Sequence, residues 1–506
     1  MAQSSSSLLT EFPELAFIQS LARKRKIKVY LVGGFLRDRL LGRTSFDLDF
    51  AVSKNAIALA RVFAGSGKGA FVLLDEEHDC ARVVVHPKSP ILGAQRCSHN
   101  IITFDFAGFR DKTIGGDLAH RDFTINALAV DIQKISRASP LENILMDKQK
   151  SLNSIKSKTI RMVSKKSFCE DPLRLIRAFS VQAETHFKIE KGTLAQIKKD
   201  RERLQGTSYE RIRDELFKVL LSDKTYGVIN AMDRIGLLEK VIPQISVMFG
   251  CVQGGYHHLD VWPHSKEALH QLEGILQDVK KDPDLREYLN EQIAGDRNRE
   301  SLLKLAMLLH DIGKPETKKK ENGRMSFHGH EHVGQHIVRH IAHMLKVSTR
   351  ERYMLEDMVR WHLRPGYLGD FKKPTERAIF RYFRDTQEEA ASILLLSIAD
   401  QRSTRGPLTT EYDQKHHEAI CRKLLGRFFD KRKEKPLVRL INGYDLIRTL
   451  KLKPSPIFAK ILRAVEEKQV LGEITTKKEA IILAGQMARH MSVETTRRFV
   501  SGKERR

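Results

Sequence analysis

The chain has 506 residues, with 88 Lys and Arg against 63 Asp and Glu, a formal net charge of +25 and 41% hydrophobic residues. It is long enough for several domains, and its charge favours a polyanionic partner, nucleic acid first and an anionic membrane surface second. Five scattered cysteines, without CxxC spacing, argue against a disulfide frame or a cysteine-zinc site and for reduced thiols in a cytoplasmic setting. No run approaches the roughly 20 apolar residues of a membrane span. The start, MAQSSSSLLTEF, has no basic segment followed by an apolar core, so neither a membrane segment nor a secretory signal is expected.

The first elements alternate. KVYLVGG (28–34) is β-branched and ends in two glycines, FLRDRLLGR (35–43) has helical spacing and a glycine stop, and SFDLDFAV (45–52) alternates like a strand. Further strands are expected at GAFVLLD (69–75), ARVVVH (81–86) and NIITFDFAG (100–108). From about residue 165 the apolar spacing becomes helical and stays so, as in DPLRLIRAFSVQAE, YERIRDELFKVLL, SLLKLAMLLHDIG and EAASILLLSIADQR. The charged stretch GRFFDKRKEKP (426–436) reads as a linker.

On a strand, Asp47 and Asp49 point to one face while Phe46, Leu48 and Phe50 point to the other. Two carboxylates on one face repel unless a cation lies between them, and Mg²⁺ takes one or two carboxylates together with substrate phosphates. Gly33 and Gly34 let backbone approach a triphosphate, and Arg37 opens the helix that follows. Asp38 either joins that site or forms a local salt bridge.

The stretch LVGGFLRDRLLGRTSFDLDFAV (31–52) resembles the signature of the nucleotidyltransferase superfamily, in the branch of tRNA nucleotidyltransferases and bacterial poly(A) polymerases. GDLAHRDFTINALAV (116–130) is similar to that branch's second motif, with His120 in place of its first arginine. The resemblance implies that Arg121 binds triphosphate as a cationic fork, that Asp122 and Asn126 contact ribose or orient that fork, and that Asp105 is a third carboxylate. FCEDPLRLIRAF (168–179) matches the family's Glu-Asp-x-x-Arg motif as Glu170, Asp171 and Arg174, with Arg177 continuing the basic face. If helical, Asp171 and Arg174 share a face. An acceptor-only Asp beside a donor-only Arg suits the Watson–Crick edges of C and A and mismatches those of G and U. The family uses these positions as a protein template for CTP and ATP. Only ten residues, 111–120, join Arg110 to Arg121, a short linker typical of relatives that add only the two cytidines. ERIRDEL (210–216) resembles a later bracing motif.

MLLHDIGKP (307–315), with His264 upstream and Asp400 downstream, resembles the HD phosphohydrolase superfamily. That likeness implies one divalent metal on His264, His310, Asp311 and Asp400, and a second on His330 or His332 with His362. Imidazole with carboxylate suits Mn, Fe, Ni or Co, and a bound metal would activate water against a phosphoester, such as a 2′,3′-cyclic phosphate at an RNA end. Residues 440–484 resemble the family's helical tail.

The expectation is an α+β protein: a tail (1–20), a nucleotidyltransferase-type mixed β-sheet head (21–135), an all-α neck and body (136–250), a helical HD domain (251–430) and a helical, RNA-contacting tail (431–506). The function implied is template-independent addition of CMP and AMP, from CTP and ATP, to the 3′ end of tRNA with Mg²⁺. CC-only or A-only addition, a poly(A) polymerase, and an RNA-binding HD phosphohydrolase with an inactive head are the alternatives.

Overall fold

The computed structural model describes residues 8–86, 101–136, 140–255, 257–321, 324–369, 373–434 and 437–501. The chain divides into two compact units, Met1–Pro243 and Gln244–Arg506.

The first unit is built on a seven-stranded sheet, ordered β3-β4-β5-β2-β1-β6-β7. Its strands are β1 (Val29–Val32), β2 (Asp47–Val52), β3 (Ala70–Asp75), β4 (Cys80–Val85), β5 (Ile102–Gly108), β6 (Ala129–Asp131) and β7 (Leu145–Met146). β2 and β5 run parallel in the middle, with Asp47 opposite Thr103 and Asp49 opposite Asp105; every other neighbouring pair is antiparallel. The expected alternation holds. Leu48, Phe50, Phe104 and Phe106 are buried on one face, with the Phe50 and Phe106 rings stacked 5.0 Å apart, while Asp47, Asp49 and Asp105 share the other. Residues 8–20, expected to be a tail, are mostly helical instead. Leu8–Glu11 and Glu14–Arg25 are helices, and Phe12, Leu15 and Ile18 are fully buried.

Beyond the sheet, helices Arg174–Thr185 and Tyr209–Leu220 pack side by side. Ser180 donates to the Glu215 carboxylate and Ser222 donates to the Ala183 carbonyl, so the two helices run in the same direction.

The second unit is helical. Two fully buried segments form its centre: every residue of Arg299–Leu309, and Ala390 through Ala399, is buried. Val261–Val279, His330–Met344, Thr349–Trp361 and Glu411–Lys433 surround them. The stretch expected as a linker differs from that reading. Residues 426–433 are the last turns of a 23-residue helix, and Phe428 is buried against the rings of Tyr288 and Phe383. Its run of charges lies on the remaining faces, which is why composition alone suggested solvent. Helices Gly443–Leu450, Ile457–Val470 and Lys477–Ser501 close on a small core of Leu446, Ile461, Val465 and Ala480.

Arg299 is the largest fully buried side chain of this unit. Its guanidinium donates to Glu389 and, at 2.6 Å, to Glu291, and it stacks 4.3 Å over the Tyr288 ring. Arg299→Ala leaves the buried Glu389 without its cation, at a cost of roughly 3–5 kcal/mol. The expected outcome is a thermal transition of the variant lowered by several degrees; an unchanged transition would show the ion pair to be dispensable.

Candidate active site and metal centre

Three carboxylates line the open face of the central strands. Asp47 is exposed and accepts a hydrogen bond from Thr103 Oγ1. Asp49 lies in from it, and burial, reinforced by Asp105 and Asp47 against the pull of Arg121 and Arg177, raises its pKa to about 6. A carboxyl so placed gains from any cation that settles beside it. Asp105 is on the same face but already engaged: Arg82 of β4 donates to both of its oxygens at 2.7 Å. The third carboxylate thus lies on the face of Asp47 and Asp49, ion-paired to Arg82.

Gly33 ends β1 against this face with φ +81° and ψ −148°, a conformation open almost only to glycine. A Cβ built there would stand 2.9 Å from Asp49 Oδ2 and 3.6 Å from Arg121 Nη1. Arg121 is held by Asp117, a buried acid that the sequence reading passed over, at 3.3 Å.

Arg37 differs from its expected phosphate-binding place. It is buried, with Nε and Nη2 donating to Asp38 at 2.9 Å and Nη1 donating to Asn126 Oδ1 at 2.9 Å. Asp38 is thus the local salt-bridge partner. Asn126 in turn donates to Asp122 at 3.2 Å, and Asp122 pairs with Arg177 Nε at 2.9 Å. Burial alone would push the Asp122 carboxyl up; Arg177, the Phe123 amide and Asn126 outweigh it and hold it below the usual carboxylate range. Asp122 holds Arg177 firmly protonated, and the Arg177 side chain keeps 46% exposure.

The expected common helix face of Asp171 and Arg174 is not formed. Asp171 is extended (φ −147°, ψ 99°), and the helix begins at Arg174. Pro172 is the cause, because the residue before a proline is driven out of the helical region. Arg174 is 5% exposed and spends its guanidinium on Ser167 Oγ (2.8 Å), the Ser167 carbonyl (3.1 Å) and the His120 carbonyl (2.7 Å). Asp171 instead accepts from Arg211 Nη2 at 2.9 Å. His120 itself pairs with Glu170 at 3.1 Å.

The ten-residue linker 111–120 contains a short helix, Ile114–Ala119, whose Gly116 amide donates to the N-cap Thr113 Oγ1.

In the second unit, donors gather in two adjoining groups, His264, His310 and Asp400, and Asp311, His330 and His362, the donor atoms of each within 4.8 Å of one another. His264 Nε2 is 2.9 Å from Asp400, and His310 Nε2 is 3.3 Å from Asp311 and 3.6 Å from Asp400. His330 and His362 bring their Nε2 atoms to 3.2 Å, beside Asp311. Each imidazole is aimed from behind: Nδ1 of His310, His330 and His362 donates to the carbonyls of Met307, Phe327 and Val359, and His264 Nδ1 faces Ser403 Oγ. Burial alone would lower the His310 pKa, yet Asp311 and Asp400 raise it to about 10; Lys314 Nζ also stands 2.6 Å from Asp311 Oδ2. His332 is not part of it. Two residues past His330 on the same helix, it turns about 200° away and is exposed.

Residues 29–161 match the model of the poly A polymerase head domain and residues 261–405 that of the HD domain. Further models, for an RNA-binding region of polymerase A and for the second domain of tRNA nucleotidyltransferases, match 186–249 and 432–484. The chain is 32% identical over 458 residues to an A-adding tRNA nucleotidyltransferase of Deinococcus radiodurans, covering 89% of this chain and 93% of the relative. It is 27% identical over 458 residues to a CC-adding tRNA nucleotidyltransferase of Thermus thermophilus, covering 89% and 91%. Among solved structures, a CCA-adding enzyme in its apo form shares the fold with a TM-score of 0.59 at 19% identity, over 92% of each chain. The chain belongs to the tRNA nucleotidyltransferase family, enzymes that here join a poly(A)-polymerase-type head to an HD domain.

Gly33→Ala should strain the backbone by about 1–3 kcal/mol and press a methyl group onto Asp49. The expected outcome is a loss of nucleotide incorporation of at least about 10-fold, with the fold retained by circular dichroism. Full activity in the variant would show that the close approach of Gly33 to Asp49 has no part in the site.

Proposed function

We propose that this enzyme extends the 3′ end of tRNA with CMP or AMP taken from CTP or ATP. The observation that carries the reading is the Asp47–Asp49 pair, set on one face of β2, with the arginines Arg121 and Arg177 acting on Asp49. Asp47 and Asp49 would hold Mg²⁺, and the fit is good: both are hard oxygen donors, and Asp49 sits where charge is costly unless a cation offsets it. When bound, Mg²⁺ stabilises charge on the transferring phosphoryl group. The chain's own groups do the rest. Gly33 and Gly34 leave backbone space for the triphosphate. Arg121 and Arg177 supply donors to its oxygens. Asp122, Asn126, Arg37 and Asp38 keep Arg177 aimed. Asp105, held by Arg82, tunes Asp49 rather than taking the proton of the attacking hydroxyl. Asp171 presents an acceptor to the base, and Arg174 fixes the loop that carries it.

A narrower product, C only or A only, is the second reading. The capped helix in the 111–120 linker favours it, since an ordered linker lacks the freedom to reshape the site between two nucleotides. The two relatives named above, one an A-adding and one a CC-adding enzyme, accord with it. A cytoplasmic setting belongs to the same reading, and among the described residues Cys80, Cys169, Cys251 and Cys421 are free and no helix is long and apolar enough to cross a membrane.

For the HD unit we propose a divalent transition metal on His264, His310, Asp311 and Asp400, with His330 and His362 completing a second position beside Asp311. The inward Nε2 of His310, buried without a hydrogen-bond partner, is the sign of fit. Such a metal supplies an activated water for phosphoester hydrolysis.

Labelled CTP or ATP, offered with tRNA lacking CCA, ending in C or ending in CC, distinguishes these products. Incorporation into at least one acceptor is expected, and none into any would sink the reading. Asp47→Ala and Asp49→Ala should each lower incorporation by at least about 100-fold; wild-type rates in either would remove that residue from the metal site. His310→Ala should abolish hydrolysis of 2′,3′-cyclic phosphates and lower the metal content of the purified protein while leaving incorporation within about 2-fold, the head being a separate unit. Undiminished hydrolysis would refute the HD assignment.

A further inference from the structure

The open face of the sheet continues past the three carboxylates. Asp49 of β2 stands opposite Asp105 of β5, Asp105 opposite Arg82 of β4, and Arg82 opposite Val72 of β3. One row of side chains therefore crosses four strands on the face of Asp49. Neighbouring strands lie about 4.8 Å apart, which puts β4 roughly 10 Å and β3 roughly 14 Å from β2. Arg82 and Val72 are each 42% exposed.

The other side of Asp49 is taken. β1 is the neighbour of β2 there, and Gly33 ends β1. A Cβ at Gly33 would stand 3.6 Å from Arg121 Nη1, so the two residues form the place read above as the seat of the triphosphate. An in-line displacement puts the attacking and leaving oxygens on opposite sides of the phosphorus. With the triphosphate running toward β1, the attacking hydroxyl comes from the side of β5, β4 and β3. The RNA that carries this hydroxyl is a polyanion, and Arg82 is the cation in the row it meets.

Arg82 has donors to spare. Nε and Nη2 each give one hydrogen bond to Asp105, both at 2.7 Å, which uses two of the five N–H groups of a guanidinium. The outer end, with the Nη1 amino group and the second N–H of Nη2, has no partner among the described residues. Such an end is a fork suited to a phosphate. A half-exposed ion pair adds little to stability, which is a weak reason for an arginine here. Two bonds to one carboxylate do fix the plane of the guanidinium, and so give the free fork one direction.

We propose that Arg82 is an acceptor-binding residue: it donates to the phosphate of the last internucleotide linkage of the RNA and so steers the terminal ribose toward Asp49. This rests on the nucleotidyltransferase reading above. Asp105, besides acting on Asp49, is the positioning residue that aims Arg82.

The test compares wild type, Arg82→Lys, Arg82→Gln, and Arg82→Gln combined with Asp105→Asn. Incorporation is measured with the acceptor tRNA and the nucleotide varied separately, and acceptor binding is measured over a range of salt. A wild-type enzyme that incorporates nothing defeats the nucleotidyltransferase reading, and this proposal with it. In an active enzyme, Arg82→Gln should raise KM for the acceptor by about 10-fold or more while KM for the nucleotide stays within about 2-fold. The slope of log acceptor affinity against log salt should fall by about 1. Arg82→Lys keeps the charge but not the fork; it should recover the salt slope and part of the affinity. The double variant removes the bared carboxylate and should bind acceptor as poorly as Arg82→Gln. Unchanged acceptor affinity in Arg82→Gln, or a KM raised equally for nucleotide and acceptor, would overturn the proposal. Full recovery of acceptor binding in the double variant would overturn it too, by tracing the loss to repulsion of RNA by Asp105.

Discussion

A chain of polar contacts, Asp38–Arg37–Asn126–Asp122–Arg177, mostly buried, holds the carboxylate-bearing face together. It ties the helix after the two glycines to the 122–126 turn, and that turn to the neck. Each member faces a partner of the right kind, donor to acceptor, so the desolvation of one is met by the next. Because Arg37 Nη1 donates to Asn126 Oδ1, the turn cannot drift without breaking a buried, charge-assisted hydrogen bond. Arg177 therefore reaches the Asp49 side of the sheet from a fixed base. Residues that look like ligand contacts in the sequence act here as the frame from which the exposed ones project.

Much of this was legible without coordinates. The strand alternation around Asp47 and Asp49 follows from a period of two, and it placed both carboxylates on one face before any fold was known. The HD donors were legible as well, because histidines and aspartates in that order have few other reasons to assemble. What was hidden was non-local. Arg82 meets Asp105 across a strand pairing that no motif announces. The burial of Arg37 depends on Asn126, 89 residues away. Asp171 and Arg174 were misplaced although the signal was present: Pro172 stands between them and forbids the helix that would have aligned them. The 426–433 segment misled in the opposite sense, since its charges concealed the buried Phe428 on which its helix rests.

The two units divide their chemistry by donor type. The head offers oxygen donors on an open sheet face, suited to a hard cation that arrives with a nucleotide. The HD unit encloses imidazole and carboxylate together, the donor mixture that softer divalent ions prefer.

Three of the HD histidines, His310, His330 and His362, bond through Nδ1 to the carbonyl three residues earlier in their own segment. A carbonyl can only accept, so Nδ1 must carry the proton and Nε2 must be the nitrogen turned inward. The tautomer is thus written by local backbone geometry rather than by any neighbouring side chain. Substitutions elsewhere in the cavity can alter its charge or its volume, but they have no handle on which ring nitrogen faces the centre. The inward direction of these three Nε2 atoms is therefore a property of the segments that carry them.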